Sequence, residues 1–195
     1  NSNIVLNQAI TATNSIALTT DNSIVNSALL TAPTVTLVAT NGSVGTTGAR
    51  TSTNAANLTV NAANGSGFGN NPAQNFNLGA SSAATLEITR TSALNGNITL
   101  TGPMNANNVL VRNTAGNGGL VINSTINGSG VGSNALNVNL IASGSGDIST
   151  NGSLISTGVL ALTSGSGNIG AGTAITTNAT TLAANTAGTV NVSDV

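Results

Sequence analysis

Leu136-Asn-Val-Asn-Leu-Ile-Ala-Ser-Gly-Ser-Gly-Asp-Ile148 is followed by Val159-Leu-Ala-Leu-Thr-Ser-Gly-Ser-Gly-Asn-Ile169, and then by Thr181-Leu-Ala-Ala-Asn-Thr-Ala-Gly-Thr-Val190. Each copy is a short apolar run, a small polar corner and one isolated Ile or Val. Ile148, Ile169 and Val190 fall 21 residues apart. A repeat of this length, built of strands and corners with no helical stripe, predicts a β-solenoid.

Outward from this stretch, an isolated apolar marker after a Gly/Asn/Ser corner recurs at Ile4, Ile24, Val44, Phe68, Ile98 and Leu120. A second series precedes the markers: Ile16/Leu18, Val35/Leu37, Leu58/Val60, Leu86/Ile88, Leu110, Val138/Leu140, Leu160/Leu162 and Leu182. Most of these alternate as a half-buried strand does. A third, weaker series is Leu30, Met104, Ile126, Ile155 and Ile175. Three strands and three corners per copy predict an all-β, three-faced parallel β-helix of about nine rungs, each of roughly 20–30 residues. At about 4.8 Å per rung the rod is roughly 40–45 Å long. Corners that need positive φ are most easily made from Gly and Asn.

The composition fits a narrow stack. Charged residues are 4% of the 195 and aromatics 1%, and His, Cys, Trp, Tyr and Lys are absent. Ordinary soluble domains carry roughly 25% charged residues. The apolar fraction of 39%, arranged in short alternating runs, argues against disorder. A net charge of −1 gives no electrostatic footprint for nucleic acid. No apolar run approaches the roughly 20 residues that span a bilayer. Without Cys or His the usual nucleophile–base pairs are missing. The chain reads as no enzyme, with no catalytic, cofactor-binding or metal residue and no cofactor.

The acidic residues are Asp21, Glu87, Asp147 and Asp194. Asp21 and Asp147 occupy similar corners about five rungs apart, roughly 24 Å, too far to cooperate. Glu87 near Arg90, with Arg112 about a rung later, reads as a surface ion pair worth roughly 0–1 kcal/mol.

Residues 62–83 form an irregular insertion holding Phe68, Pro72 and Phe76, in which a Phe is expected to seal a widened interior. Ser129 to Asn134 is a smaller insertion. Two competing readings arise. Asn-Gly pairs starting at Asn41, Asn64, Asn95, Asn117, Asn127 and Asn151 are hairpin signals that suit an antiparallel sandwich. The repeat length decides for the solenoid. Thr11/Thr13, Thr34/Thr36, Thr51/Thr53 and Thr99/Thr101 suit an ice-binding face, but their spacing does not recur once per rung.

Leu160-Ala-Leu-Thr-Ser-Gly-Ser-Gly-Asn-Ile169-Gly, Val35-Thr-Leu-Val-Ala-Thr-Asn-Gly-Ser-Val44-Gly and Ile16-Ala-Leu-Thr-Thr-Asp-Asn-Ser-Ile24 resemble the degenerate repeats of filamentous-haemagglutinin-like exoproteins. These are giant bacterial surface or secreted proteins, commonly exported by two-partner secretion. The resemblance covers nearly all of the chain, with 62–83 fitting poorly. It implies a right-handed parallel β-helix in a long rod, located outside the cell or on the bacterial surface. Its implied roles are adhesion, biofilm, contact-dependent toxin delivery or surface filaments. No counterpart of the family's secretion or toxin domains is visible, so the chain resembles the shaft.

The expectation is therefore one solenoid segment, residues 1–195, of a longer rod or fibre: a non-catalytic extracellular shaft of an adhesin or surface filament. The pattern starts at Asn1-Ser-Asn-Ile and runs to Val195 without a capping repeat. That predicts a longer parent chain or copies stacked end to end. Expected partners are neighbouring copies or flanking repeats, and a host or neighbouring-cell glycan or protein. The alternative is a ligand-binding solenoid that takes a cell-surface glycan or ice.

Overall fold

Each short apolar run forms a strand that lies parallel to the equivalent run one coil on. The computed structural model describes residues 2–26, 28–128 and 134–195. Apart from Asn134, the insertion expected at Ser129 to Asn134 lies outside them. Among the described residues there are strands and no helix. Every strand pairing among them is parallel. The chain is a β-solenoid, and the antiparallel sandwich is excluded. Asn64-Gly65, for example, lies inside the strand Asn57–Asn71 rather than at a reversal.

One file of stacked positions runs Ile4, Ile24, Val44, Gly67, Leu86, Val109, Val138, Leu160 and Leu182. Nine positions enclose eight full turns (9 − 1 = 8). From Ile24 to Leu160 every non-Gly member is almost fully buried. Fully burying one such side chain is worth about 1.5–3 kcal/mol, and no single coil can do it alone.

The faces do not keep one phase along the rod. In the amino-terminal half there are two short faces, exemplified by Ile4–Leu6 and Ile10–Thr11, and one long face, exemplified by Ser15–Thr20. The strand Asn57–Asn71 reorganises them. Its first part pairs with Phe76–Leu78 at one end and, through Asn61 and Ala62, with Ser81–Arg90 at the other, so the long face splits. Its second part takes Val44 at Gly67 and Thr51 at Gly69, so the two short faces fuse. The fused face continues through Ser81–Arg90, Met104–Asn113, Ala135–Ile141 and Thr157–Thr163. Gly67 and Gly69 are needed at this junction. A Cβ on Gly67 would lie 2.7 Å from Val60 Cγ1, and one on Gly69 3.1 Å from Ile88 Cδ1.

This slip corrects several expectations. The markers form two files on different faces rather than one. Ile4, Ile24 and Val44 stack together, whereas Phe76, Ile98, Leu120, Ile148, Ile169 and Val190 form a second file. Phe68 is not a marker. It stands in register with Glu87, between the inward-facing Leu86 and Ile88, and therefore faces out. Phe76 is the phenylalanine in the core. Leu110 also faces out, between buried Val109 and Val111. Asp21 precedes the first file and Asp147 the second, so their corners are not equivalent.

The corners obey a spacing rule more than a dihedral one. Among the described residues positive φ occurs only at Gly45, Gly116, Gly144, Gly152, Gly170 and Gly172, and never at Asn. Elsewhere Gly admits the next coil. Gly118, Gly146, Gly167 and Gly188 stack, and a Cβ on Gly146 would lie 2.2 Å from the Gly118 carbonyl oxygen.

Ile169 is wholly buried between Ile148 and Val190. Ile169→Asp should cost more than about 4 kcal/mol, combining a lost core side chain with a stranded charge. Chemical denaturation checks this, and parent-like stability would contradict the packing.

Candidate functional site

The residue just before each marker has a task that the sequence reading missed. Its side-chain oxygen accepts the backbone N–H of the same position one coil on. Asn3 Oδ1 accepts from Ser23 N (3.1 Å), Ser23 Oγ from Ser43 N (3.1 Å), and Ser43 Oγ from Ser66 N (3.0 Å). Beyond the slip, Asn75 Oδ1 accepts from Asn97 N (2.8 Å) and Asn97 Oδ1 from Gly119 N (3.0 Å). Gly119 has no side chain, so this ladder stops. It resumes with Asp147 Oδ1, which accepts from Asn168 N (2.6 Å), and Asn168 Oδ1, which accepts from Thr189 N (3.0 Å). A second ladder runs beside it, from Asn95 to Asn117 N (2.8 Å) and from Asn117 to Ser145 N (3.1 Å). Each such bond is worth about 0.5–1.5 kcal/mol net. The signal was present in the sequence, since Asn, Ser or Asp precedes most markers.

The interior is not apolar throughout. At the corner after the fused face, Thr53, Asn71, Arg90 and Asn113 are all 0% exposed. Asn71 and Arg90 are in register, as are Arg90 and Asn113. Arg90 was expected on the surface beside Glu87. Instead its guanidinium is caged by oxygens. Nε donates to Gln74 O (2.6 Å), and Nη1 donates to Asn113 Oδ1 (2.8 Å), Ser92 O (3.3 Å) and Ala115 O (3.4 Å). Nη2 donates to Leu94 O. Burial lowers its pKa from the ordinary arginine value. Oxygen dipoles from three successive coils, rather than a carboxylate, offset the desolvation. Asn113 relays the constraint by donating to Gly96 O (2.9 Å) and Gly119 O (3.2 Å).

Glu87 does form an ion pair, but with Arg50. The Arg50 guanidinium also lies 5.7 Å from the centre of the Phe68 ring. Arg50 thus covers the outward Phe68, which was expected as an inward marker and is 9% exposed. Arg112 stacks on Thr89 and donates to its hydroxyl at 3.4 Å. Asp21, Glu87, Asp147 and Asp194 are not brought together. Among the described residues no group of three or more His, Cys, Asp or Glu is assembled. The threonine pairs do not make one face either: Thr51 and Thr53 are buried, and Thr34/Thr36 stack on Ser15/Ala17 and Asn57/Thr59.

The broken ladder leaves a polar pocket of about 250 Å³ on the flank. Asn97, Asn117, Gly119, Ser145, Asp147 and Ser149 line it. Beside the pocket the chain packs too closely at two positions for any residue but glycine. A Cβ on Gly118 would lie 2.2 Å from Asn113 Nδ2, and one on Gly119 2.8 Å from Asp147 O.

No family model, no curated protein and no solved structure matches this chain.

Arg90→Met should cost about 3–5 kcal/mol, because it leaves the buried Asn113 Oδ1 and Ser92 carbonyl without their donor and unties three coils. Glu87→Gln should cost about 0–1 kcal/mol, with the difference fading at high salt. Denaturant titration of both variants, at low and high salt, distinguishes a structural rivet from a surface pair.

Proposed function

We propose that the chain is a structural shaft, a non-catalytic solenoid segment of a bacterial adhesin or surface filament that works outside the cell. The observation that carries this reading is the continuous parallel stack. Each coil's marker N–H donates to the next coil, as from Ile4 to Ser23 O (3.0 Å), from Leu120 to Asp147 O (2.8 Å) and from Ile169 to Thr189 O (2.8 Å). Such an assembly transmits position and force along one axis and spends its side chains on holding coils together. The resemblance of its repeats to filamentous-haemagglutinin-like exoproteins supports the bacterial surface as the setting. Few charges, no lysine and ladders of Asn, Ser and Thr suit a surface that must resist non-specific ionic contacts.

The last coil indicates how a shaft would continue. Leu182 and Val190 close the two inward files, yet they are 44% and 51% exposed. The strand Thr181–Asn185 is exposed along its whole length. A further coil, from the same polypeptide or another copy, would cover both the apolar residues and the open backbone edge.

Sedimentation velocity and electron microscopy test the stacking. Rods that lengthen with concentration, and fail to do so in Leu182→Lys/Val190→Lys, are expected. Monomers at every concentration would remove self-stacking. Antibody labelling of intact producing cells tests the location, and labelling only after lysis would overturn the surface reading.

A further inference from the structure

We propose that the pocket at the ladder break is a binding site for a neutral saccharide, held through adjacent hydroxyl groups. This goes beyond the shaft reading and does not depend on it.

The argument starts from what the pocket offers. Along this corner Asn75, Asn95, Asn97, Asn117, Asp147 and Asn168 each accept an N–H from the next coil. At Gly119 that sequence is interrupted, and the pocket opens beside it between Asn97 and Asp147. Asn97 and Asn117 use their Oδ1 atoms as acceptors for Gly119 and Ser145 N–H. Their amide NH₂ groups make no hydrogen bond among the described residues. Asp147 uses Oδ1 for Asn168 N, and its second oxygen has no such bond among the same residues. Ser149 Oγ donates to Leu120 O at a long 3.4 Å. The pocket is therefore lined by residues with two spare amide donors, one spare carboxylate acceptor and hydroxyls that both donate and accept.

That inventory selects the ligand class. An anion is disfavoured by Asp147 with no cation in the lining. A hard cation wants six or more oxygens and usually several carboxylates, and only one carboxylate is present. An apolar molecule would strand the amides. A vicinal diol satisfies the set, with one hydroxyl donating to the carboxylate while its neighbour accepts from an amide. The floor is fixed in advance. Arg90 holds Asn113, and Asn113 holds the Gly119 carbonyl. The site thus needs little ordering on binding. No aromatic ring lines it, so affinity is modest. A dissociation constant on the order of millimolar suits a twelve-atom ligand at ordinary efficiency.

The test uses the ¹⁵N-labelled chain titrated with D-glucose, D-galactose, methyl α-D-mannoside and N-acetylglucosamine, with calcium chloride as a separate arm. Amide shifts confined to residues around Gly119, Ser145 and Asp147, saturating with one of the sugars, are expected. Asp147→Asn keeps the ladder acceptor, as Asn97 and Asn168 do in their coils, but removes the charge. It should weaken sugar binding about tenfold or more with the melting temperature unchanged. Ser149→Ala should weaken it less. The proposal falls if no sugar shifts these amides up to about 50 mM, if Asp147→Asn binds as the parent does, or if calcium alone produces the shifts. None of these results touches the shaft reading.

Discussion

In a parallel stack, every coil supplies the hydrogen-bond partners of the next at a spacing of about 4.8 Å. A residue therefore sits directly over its counterpart, and whatever one coil does at a corner the next must accommodate. The files of Ile, Val and Leu, the ladders of Asn and Ser and the close glycine contacts are three answers to this one demand. Apolar side chains fill the axis, side-chain oxygens take the corner N–H groups, and glycine stands where the next backbone comes too near for a Cβ. Gly118, Gly146, Gly167 and Gly188 lie under one another for that reason.

The same demand explains what could be read from residues alone. Alternation and a repeat near 21 residues identify strands, corners and stacking, because these depend on local pattern. Ile148, Ile169 and Val190 are in register as their spacing indicated. The phase slip was hidden, because both halves use the same corner-plus-marker phrase on different faces. Phe68 fits that phrase, but its neighbours Gly67 and Gly69 take the inward positions and turn it outward. Only the partners of Asn57–Asn71 reveal this, and those partners are fixed by three-dimensional register.

Charge was the least legible property. Glu87 and Arg90 are close in sequence, which suggested a pair, yet they lie on opposite sides of one strand. An odd separation of three residues sends one out to Arg50 and the other into the interior. The burial of an arginine without a carboxylate has no sequence signature. It depends on carbonyls of Gln74, Ser92, Leu94 and Ala115 converging from three coils. The pocket was equally hidden, since it lies where the side-chain ladder lapses at Gly119 and not at a motif. On the flank of this solenoid a polar pocket opens where the stacking ladder lapses.

The caged guanidinium has a mechanical corollary. A one-dimensional stack held by nearest-neighbour contacts frays at its extremities, where each coil has only one supporting neighbour. Arg90 ties its own turn to both adjacent turns through a single planar group. Loss of turns by heat or by pulling is therefore expected to begin at the tips and to slow where the guanidinium is caged. The centre of the molecule then serves as the template on which lost turns wind back.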